Sequence, residues 1–141
     1  MRYHFKIHKE GNGFWAECIE LEGCNTQAET LQELDQNMSD ALDLYLSEPD
    51  DSTVIFPLPD NTIKGAKDIA LVKVDPHVAF AFLLRRYRLI NKLSQQEVAN
   101  KMGWKNIWSY QRFEKTANPS LDKLSKFQEI FPDLEIQLVF S

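Results

Sequence analysis

The chain has 141 residues, of which 43% are hydrophobic and 26% are charged, which is the composition of an ordinary globular protein. This length allows one modest core or two small ones. No apolar stretch is long enough to span a bilayer, and the first residues do not form a signal peptide. Cys18 and Cys24 are too few for a disulfide framework and lack CxxC spacing. We therefore expect a cytoplasmic protein with two reduced thiols and no membrane partner.

Charge is distributed unevenly along the chain. Up to Asp75 there are 6 Lys and Arg against 15 Asp and Glu, a net charge of −9, whereas from Pro76 onward there are 10 against 6, a net charge of +4. Such asymmetry is typical of a nucleic-acid-binding part joined to a part with another task. Composition alone leaves open two solvated surfaces whose charges differ by chance. We expect two domains, residues 1–75 and 76–141.

The sequence pattern of the first domain predicts three strands, a helix and a fourth strand. Apolar and polar residues alternate strictly over residues 2–8, and Asn12-Gly13 is a hairpin signal before a returning strand from Phe14 to Ile19. A third strand is expected over 23–27. Thr30 and Glu33 then have the spacing of a capping box, and the helix behind them should run to about Ser47. Residues 69–74 are apolar enough for a buried strand.

The sequence pattern of the second domain predicts mainly helices. Helical periodicity predicts a first helix from Pro76 to about Asn91, and Ser94 to Glu97 is a capping box for a second helix that ends at Gly103. A third helix is expected over about 106–115, and a fourth after Ser120. Alternation returns at the end of the chain, where it predicts a final strand. The residues with this alternation are Leu134, Ile136, Leu138 and Phe140. The fold class is therefore α+β.

The predicted final strand has no partner strand within the helical domain. Unpaired strand edges favour pairing with another strand, so we expect the same strand of a second subunit to pair with it and form a homodimer. Docking of this strand onto the N-terminal sheet is the alternative.

Several spaced motifs in the second domain resemble the Xre/Cro-type helix-turn-helix family. They are Leu-Ser-Gln-Gln-Glu-Val-Ala at 93–99, Met-Gly at 102–103, Arg-Phe-Glu at 112–114 and Asn-Pro-Ser-Leu at 118–121. The resemblance implies binding of double-stranded DNA in the major groove and a structural pair between Arg88 and Glu114. The interval from Gly103 to Glu114 is one residue longer than is usual in that family. The expected DNA-binding residues are Gln95, Gln96, Lys105, Asn106, Trp108, Ser109, Gln111, Arg112 and Lys115.

The first domain has a resemblance of its own. Leu-Glu-Gly-Cys at 21–24, Thr-Gln-Ala-Glu-Thr-Leu at 26–31, the amphipathic helix and Phe-Pro-Leu-Pro at 56–59 are similar to HicB antitoxins, although Glu22 and Ala28 replace a usual proline and glycine. The resemblance implies a partial RNase H-like fold that inhibits a small HicA-type toxin, an mRNA-cleaving ribonuclease. It also implies autorepression of the operon through the DNA-binding domain, as a homodimer or higher assembly. A −9 domain is electrostatically suited to such a toxin.

Two other classes of function, a metal-dependent nuclease and a small-molecule sensor, compete with this interpretation. Two-metal nuclease chemistry needs converging carboxylates, and the acids of the first domain, among them Glu17, Glu20, Glu22 and Glu29, lie on mixed or solvated positions. His4 and His8 lie about 13 Å apart at the strand rise, too far to chelate one ion. We therefore expect no catalysis, no metal and no cofactor. The alternative function is a one-component transcriptional regulator whose N-terminal module senses a small molecule.

Overall fold

The computed structural model describes residues 1–47, 52–115 and 117–141, which form one four-stranded antiparallel sheet and five α-helices. The expectation of an α+β protein is confirmed. The chain divides into two compact units. The N-terminal unit comprises Met1–Leu46, Phe56–Asp75 and Ser141, and the helical unit comprises Ser47–Ile55 and Pro76–Phe140. No helix in the described ranges is both long and apolar enough to cross a membrane.

The N-terminal unit is built on the sheet, whose strand order is β3-β2-β1-β4 with every pair antiparallel. Gly11, with a φ of +58°, makes the tight turn between the first two strands, because glycine adopts this left-handed geometry without steric cost. The predicted hairpin therefore forms. The strands are β1 (Arg2–Glu10), β2 (Gly13–Cys18), β3 (Asn25–Ala28) and β4 (Ile69–Lys73).

One helix, α1 (Leu31–Leu46), follows the third strand and covers one face of the sheet. The Thr30 hydroxyl accepts a hydrogen bond from the Glu33 amide at 3.1 Å, which satisfies one of the free N–H groups of the first turn. The alternation of β1 places Tyr3 and Phe5 in the core beneath the helix, where both are fully buried. Buried residues of the helix recur at helical spacing: Leu34, Met38, Leu42 and Leu46.

The described residues of the helical unit form four α-helices and two short 3-10 helices. Ser94 and Ser120 cap two of the helices, and Ser94 forms the complete predicted capping box with Glu97. Phe127 is fully buried at the centre of an aromatic cluster with Phe80, Trp104, Tyr110 and Phe113. The elements are α2 (Pro76–Ile90), α3 (Gln95–Lys101), α4 (Ile107–Gln111), the first 3-10 helix (Arg112–Glu114), α5 (Leu121–Ile130) and the second 3-10 helix (Ile136–Val139).

Two predictions for this unit need correction. The helix expected over about 106–115 is shorter, because α4 ends at Gln111 and the chain tightens into the first 3-10 helix. The predicted final strand is wrong, since Ile136–Val139 is a 3-10 helix. The Gln128 side-chain amide donates to the carbonyl groups of Phe131, Pro132 and Leu134 at 3.0–3.3 Å, which holds this stretch in a bend. Without a strand, the strand-paired dimer loses its structural basis.

Candidate functional site

Arg88 and Glu114 form a buried ion pair inside the helical unit. Arg88 Nε and Nη2 donate to the two carboxylate oxygens of Glu114 at 2.5 and 3.2 Å, a two-point contact that fixes both side chains. Only 6% of Arg88 and 2% of Glu114 is exposed. Burial would lower the pKa of Arg88, but the hydrogen bonds and charge of Glu114 outweigh it and raise that pKa. The pair links α2 to the first 3-10 helix.

Tyr110 is the third member of this buried network. Its hydroxyl donates to Glu114 Oε1 at 2.6 Å from one helical turn earlier, and its side chain is fully buried. Burial, followed by the charge of Glu114, raises the pKa of Tyr110 well above its usual value, so the phenol remains a hydrogen-bond donor. None of the sequence motifs described above indicates this role for Tyr110. The four-residue spacing between Tyr110 and Glu114 is the sequence feature that could have indicated the contact.

Two expected DNA-binding residues, Gln95 and Gln111, are joined to this network. Gln95 Nε2 donates to Glu114 Oε2 at 2.8 Å, and Gln111 Nε2 donates to Gln95 Oε1 at 3.0 Å. Because a carboxylate only accepts hydrogen bonds, Gln95 must donate to Glu114, and its own amide oxygen then accepts from Gln111. The carbonyl oxygen of Gln111 is therefore directed away from Gln95. Both side chains are half-buried, and the structure orients them by internal contacts.

The connection between α3 and α4 turns sharply at Gly103. This glycine has a φ of +78°, and the Trp104 amide bonds back to the Ala99 carbonyl at 2.9 Å, as in a helix end closed by a left-handed residue. Lys105 is exposed in the connection. Asn106 caps α4, because its side-chain oxygen accepts from the Trp108 amide at 2.8 Å. Its side chain is thus engaged in capping in this structure.

The surface of α4 and the residues after it carry the remaining expected contacts. Trp108 is 69% exposed, in contrast to Trp104, which stacks on Phe113 at 5.5 Å between ring centroids. Ser109 is half-buried on α4. Arg112 and Lys115 are exposed on and after the first 3-10 helix. Trp108 and Arg112 lie four residues apart, the spacing that brings side chains together on a helical surface.

Gln96 lies apart from this arrangement. It is exposed on α3, and its amide donates to Asn100 Oδ1 at 2.9 Å along the same helix. A contact of this kind, between residues four apart, stabilises the helix on its own surface. The structure thus joins Gln95 to Gln111 but leaves Gln96 with a local partner.

The exposed charge of the segment from α3 to Lys115 is positive. Its cations Lys101, Lys105, Arg112 and Lys115 are all exposed, whereas one of its two acids, Glu114, is buried against Arg88. A surface depression of about 300 Å³ next to this segment is lined by Arg112, Phe113, Asn118 and Lys123. Lys123 lies over the Phe113 ring at 5.5 Å. This arrangement suits contact with an anionic polymer.

Two of the acids considered for metal chemistry in the N-terminal unit, Glu17 and Glu20, pair with histidines. Glu20 binds His4 Nδ1 at 2.8 Å and accepts from the backbone N–H groups of His4 and Asp60, with 3% of its side chain exposed. Glu17 binds His8 Nε2 at 3.1 Å, and His8 stacks on Trp15. The alternation of residues 2–8 does not indicate this buried pairing of His4. Across residues 1–47, 52–115 and 117–141, no group of three or more His, Cys, Asp or Glu is arranged to hold a metal ion.

A groove of about 470 Å³ lies between the β1–β2 hairpin and the start of α1 in the N-terminal unit. Three carboxylates, from Glu10, Glu29 and Glu33, line it together with Trp15 and Asn37. All three acids are exposed, so the groove offers negative charge beside an aromatic ring.

A scan of the chain against protein-family models gives no match, and a comparison with curated proteins gives none either.

Proposed function

We propose that the helical unit is a helix-turn-helix domain that binds double-stranded DNA, with α3 and α4 as its two central helices. The observation that carries the proposal is the positive, hydrogen-bonding surface from α3 to Lys115. Lysine and arginine neutralise phosphates and supply most of the affinity for DNA, while guanidinium and amide groups read base edges in the major groove. The burial of Glu114 against Arg88 removes the carboxylate that would otherwise repel phosphate there.

Within this proposal the residues divide into two groups. Trp108, Arg112 and Lys105 are exposed and contact DNA directly, with Arg112 the best reader of guanine because its guanidinium bonds two acceptors at once. Gln95 holds Gln111 in a fixed orientation, so that the Gln111 carbonyl oxygen is available to an amino group of adenine or cytosine. Lys115 contacts phosphate.

We further propose that the whole chain is a HicB-type antitoxin, with a partial RNase H-like N-terminal unit that is not an enzyme. Its partner would be a HicA-type toxin, a small basic mRNA-cleaving ribonuclease. The net charge of −9 up to Asp75 and the acidic groove of Glu10, Glu29 and Glu33 support this, since a toxin that grips RNA carries positive charge. Binding of the helical unit to the operon's own operator would then give autorepression.

DNA binding of this kind requires two copies of the chain. One such domain covers one half-site, and half-sites usually lie about one helical turn apart, so a two-fold homodimer is expected. The contact between copies would come from the helical unit, without the strand pairing that the sequence suggested.

Two measurements test the proposal. The first is affinity purification of the full chain expressed together with its neighbouring genes, where a small basic ribonuclease should co-elute. The second is titration of the full chain with the DNA upstream of its gene and with a scrambled duplex of equal length. We expect tighter binding to the upstream DNA at matched salt. Equal affinity for both duplexes, and no co-eluting protein, would contradict both parts. A change in DNA affinity caused by a small molecule would favour the sensing regulator instead.

A further inference from the structure

The two cysteines of the N-terminal unit face each other across neighbouring strands. In the β2–β3 register Glu17 lies opposite Asn25, so the next pair in the same register is Cys18 and Cys24. The Cys18 amide donates to the Cys24 carbonyl at 2.9 Å, which continues the ladder by one hydrogen bond. Residues directly opposite each other on antiparallel strands have Cα atoms about 4.5–5.5 Å apart. Disulfides span Cα separations of about 4.4–6.8 Å, so the backbone already has the required spacing.

The two thiols differ in their surroundings. Cys18 Sγ donates to Glu20 Oε1 at 3.8 Å, and Cys24 Sγ donates to the Ala41 carbonyl on α1 at 3.8 Å. Interaction with the neighbouring Cys24 side chain, together with burial, raises the pKa of Cys18. The same contact lowers the pKa of Cys24 although burial opposes it. This direction favours Cys24 as the attacking thiolate and Cys18 as the thiol that resolves the sulfenic acid.

We propose that Cys18 and Cys24 form a reversible oxidation site that takes a peroxide as its oxidant and closes to a disulfide within one chain. The Cys24 thiolate attacks one peroxide oxygen, the O–O bond breaks, hydroxide leaves, and Cys24 becomes a sulfenic acid. Cys18 sulfur then attacks the Cys24 sulfur, the S–O bond breaks, and the Cys18 proton leaves with the hydroxyl group as water. Two thiols lose two hydrogens, and one peroxide is reduced.

A disulfide between Cys18 and Cys24 would restrain the turn that joins them. That turn carries Glu20, which binds His4 and the Asp60 amide, and its Glu22 carbonyl accepts from the Tyr45 hydroxyl at 2.6 Å. Cys18 and Cys24 are buried, so a peroxide, which is little larger than water, would enter by local opening of this turn at Gly23, which is exposed and has a φ of +85°. The disulfide would restrict the unfolded chain and remove the Cys18 donor from Glu20.

The test is treatment of the folded full chain with hydrogen peroxide, followed by unfolding, alkylation and intact mass measurement. We expect the loss of two hydrogens, no alkylated thiol, and one peptide pair linked through Cys18 and Cys24. Dithiothreitol should reverse all three. The melting midpoint of the full chain should rise by about 5–10 °C on oxidation.

Two variants separate the roles of the thiols. Cys18→Ala should leave Cys24 as a sulfenic acid that dimedone labels, whereas Cys24→Ala should leave Cys18 unlabelled. Three results would overturn the proposal: two alkylated thiols after peroxide treatment, a disulfide between chains, or equally fast disulfide formation in the urea-unfolded wild type. The last comparison uses only the wild-type chain, so it remains valid even if either variant fails to fold.

Discussion

Glu114 connects three functional side chains in the described part of the helical unit. Its two carboxylate oxygens accept from Arg88, Tyr110 and Gln95, which lie on three different helices. A buried carboxylate is stable only when it is paired and fully hydrogen-bonded, and this one is. The same residue thus joins α2, α3 and α4 and, through Gln95, orients Gln111.

Removal of Glu114 should destabilise the helical unit strongly. Glu114→Ala leaves the Arg88 cation buried without its partner, for which we expect a loss of about 3–5 kcal/mol in the free energy of unfolding. The control is Glu129→Ala, which removes the exposed Lys126–Glu129 pair and should cost no more than about 1 kcal/mol. Urea unfolding measures both. Equal losses in the two variants would show that the buried pair does not hold the helices together.

Arg112 and Lys115 should affect DNA binding in different ways. Arg112→Ala should weaken binding to the operator by about 1–3 kcal/mol, the value of a bidentate base contact, and leave scrambled DNA nearly unaffected. Lys115→Ala should weaken both and reduce the slope of affinity against salt, as for a phosphate contact. Lys126→Ala, an exposed lysine on α5, is the matched control. The same loss on every duplex for Arg112 and Lys115 would place the recognition residues elsewhere.

Asp43 should give the N-terminal unit a pH-dependent stability. Burial, together with the charges of Asp75 and Asp40, raises the pKa of Asp43, although the Asp75 amide donates to it at 3.0 Å. Folding therefore favours the protonated form. The stabilisation is present below about pH 4, the unfolded pKa, and is lost as pH rises through the raised pKa.

Asp43→Asn keeps an acceptor for the Asp75 amide and removes the charge. This variant should be more stable than wild type near neutral pH and should lose this part of the pH dependence. Urea unfolding over an acidic-to-neutral pH series measures it, with Asp35→Asn, an exposed acid on the same helix, as the control. A stability profile parallel to that of wild type would contradict the assignment.

At the scale of elements, the end of the chain shows how packing overrides a local pattern. Leu134 and Val139, five residues apart, are buried, whereas Phe140 is 67% exposed. This spacing fits a bend followed by a 3-10 turn and does not fit the alternation of a strand. The Gln128 amide supplies the bend from α5, a contact that the sequence pattern of residues 134–140 does not contain.

The C-terminal segment should accordingly act as part of the helical core. Leu134→Ala should lower the free energy of unfolding by about 2–5 kcal/mol, because its side chain is 3% exposed. Leu121→Ala is the matched control, since Leu121 is 83% exposed and its loss should change stability by no more than about 0.5 kcal/mol. Thermal melting compares the two. A Leu134 variant as stable as the Leu121 variant would mean that the segment does not belong to the core.

The sequence predicts elements whose signals are local. The β1–β2 hairpin follows from alternation around Gly11 to Gly13, and α3 follows from the Ser94–Glu97 capping box, because both depend on residues a few positions apart. The pairing of His4 with Glu20 and of Gln95 with Gln111 joins residues 16 positions apart. Such pairs depend on how strands and helices come together in space, which periodicity does not specify.

At the scale of the molecule, the separation of charge is the property that the proposed function uses. The chain is strongly acidic up to Asp75 and basic afterwards, with a net charge of −5 overall. A uniform distribution of the same charges would repel DNA and bind a basic protein only weakly. In the proposed function, opposite charges on the two parts would let each attract its own partner and disfavour the other.

The two activities should therefore be separable by mutation. Lys105→Ala combined with Arg112→Ala should abolish specific DNA binding but leave capture of the co-purifying basic protein unchanged. Glu10→Gln combined with Glu29→Gln should slow association with that protein severalfold, because exposed charges act mainly on the association rate. The same substitutions should leave operator affinity unchanged. Surface-immobilised full chain, probed in turn with the basic protein and with operator duplex, measures both. Loss of both activities in either double variant would show that one surface serves both partners.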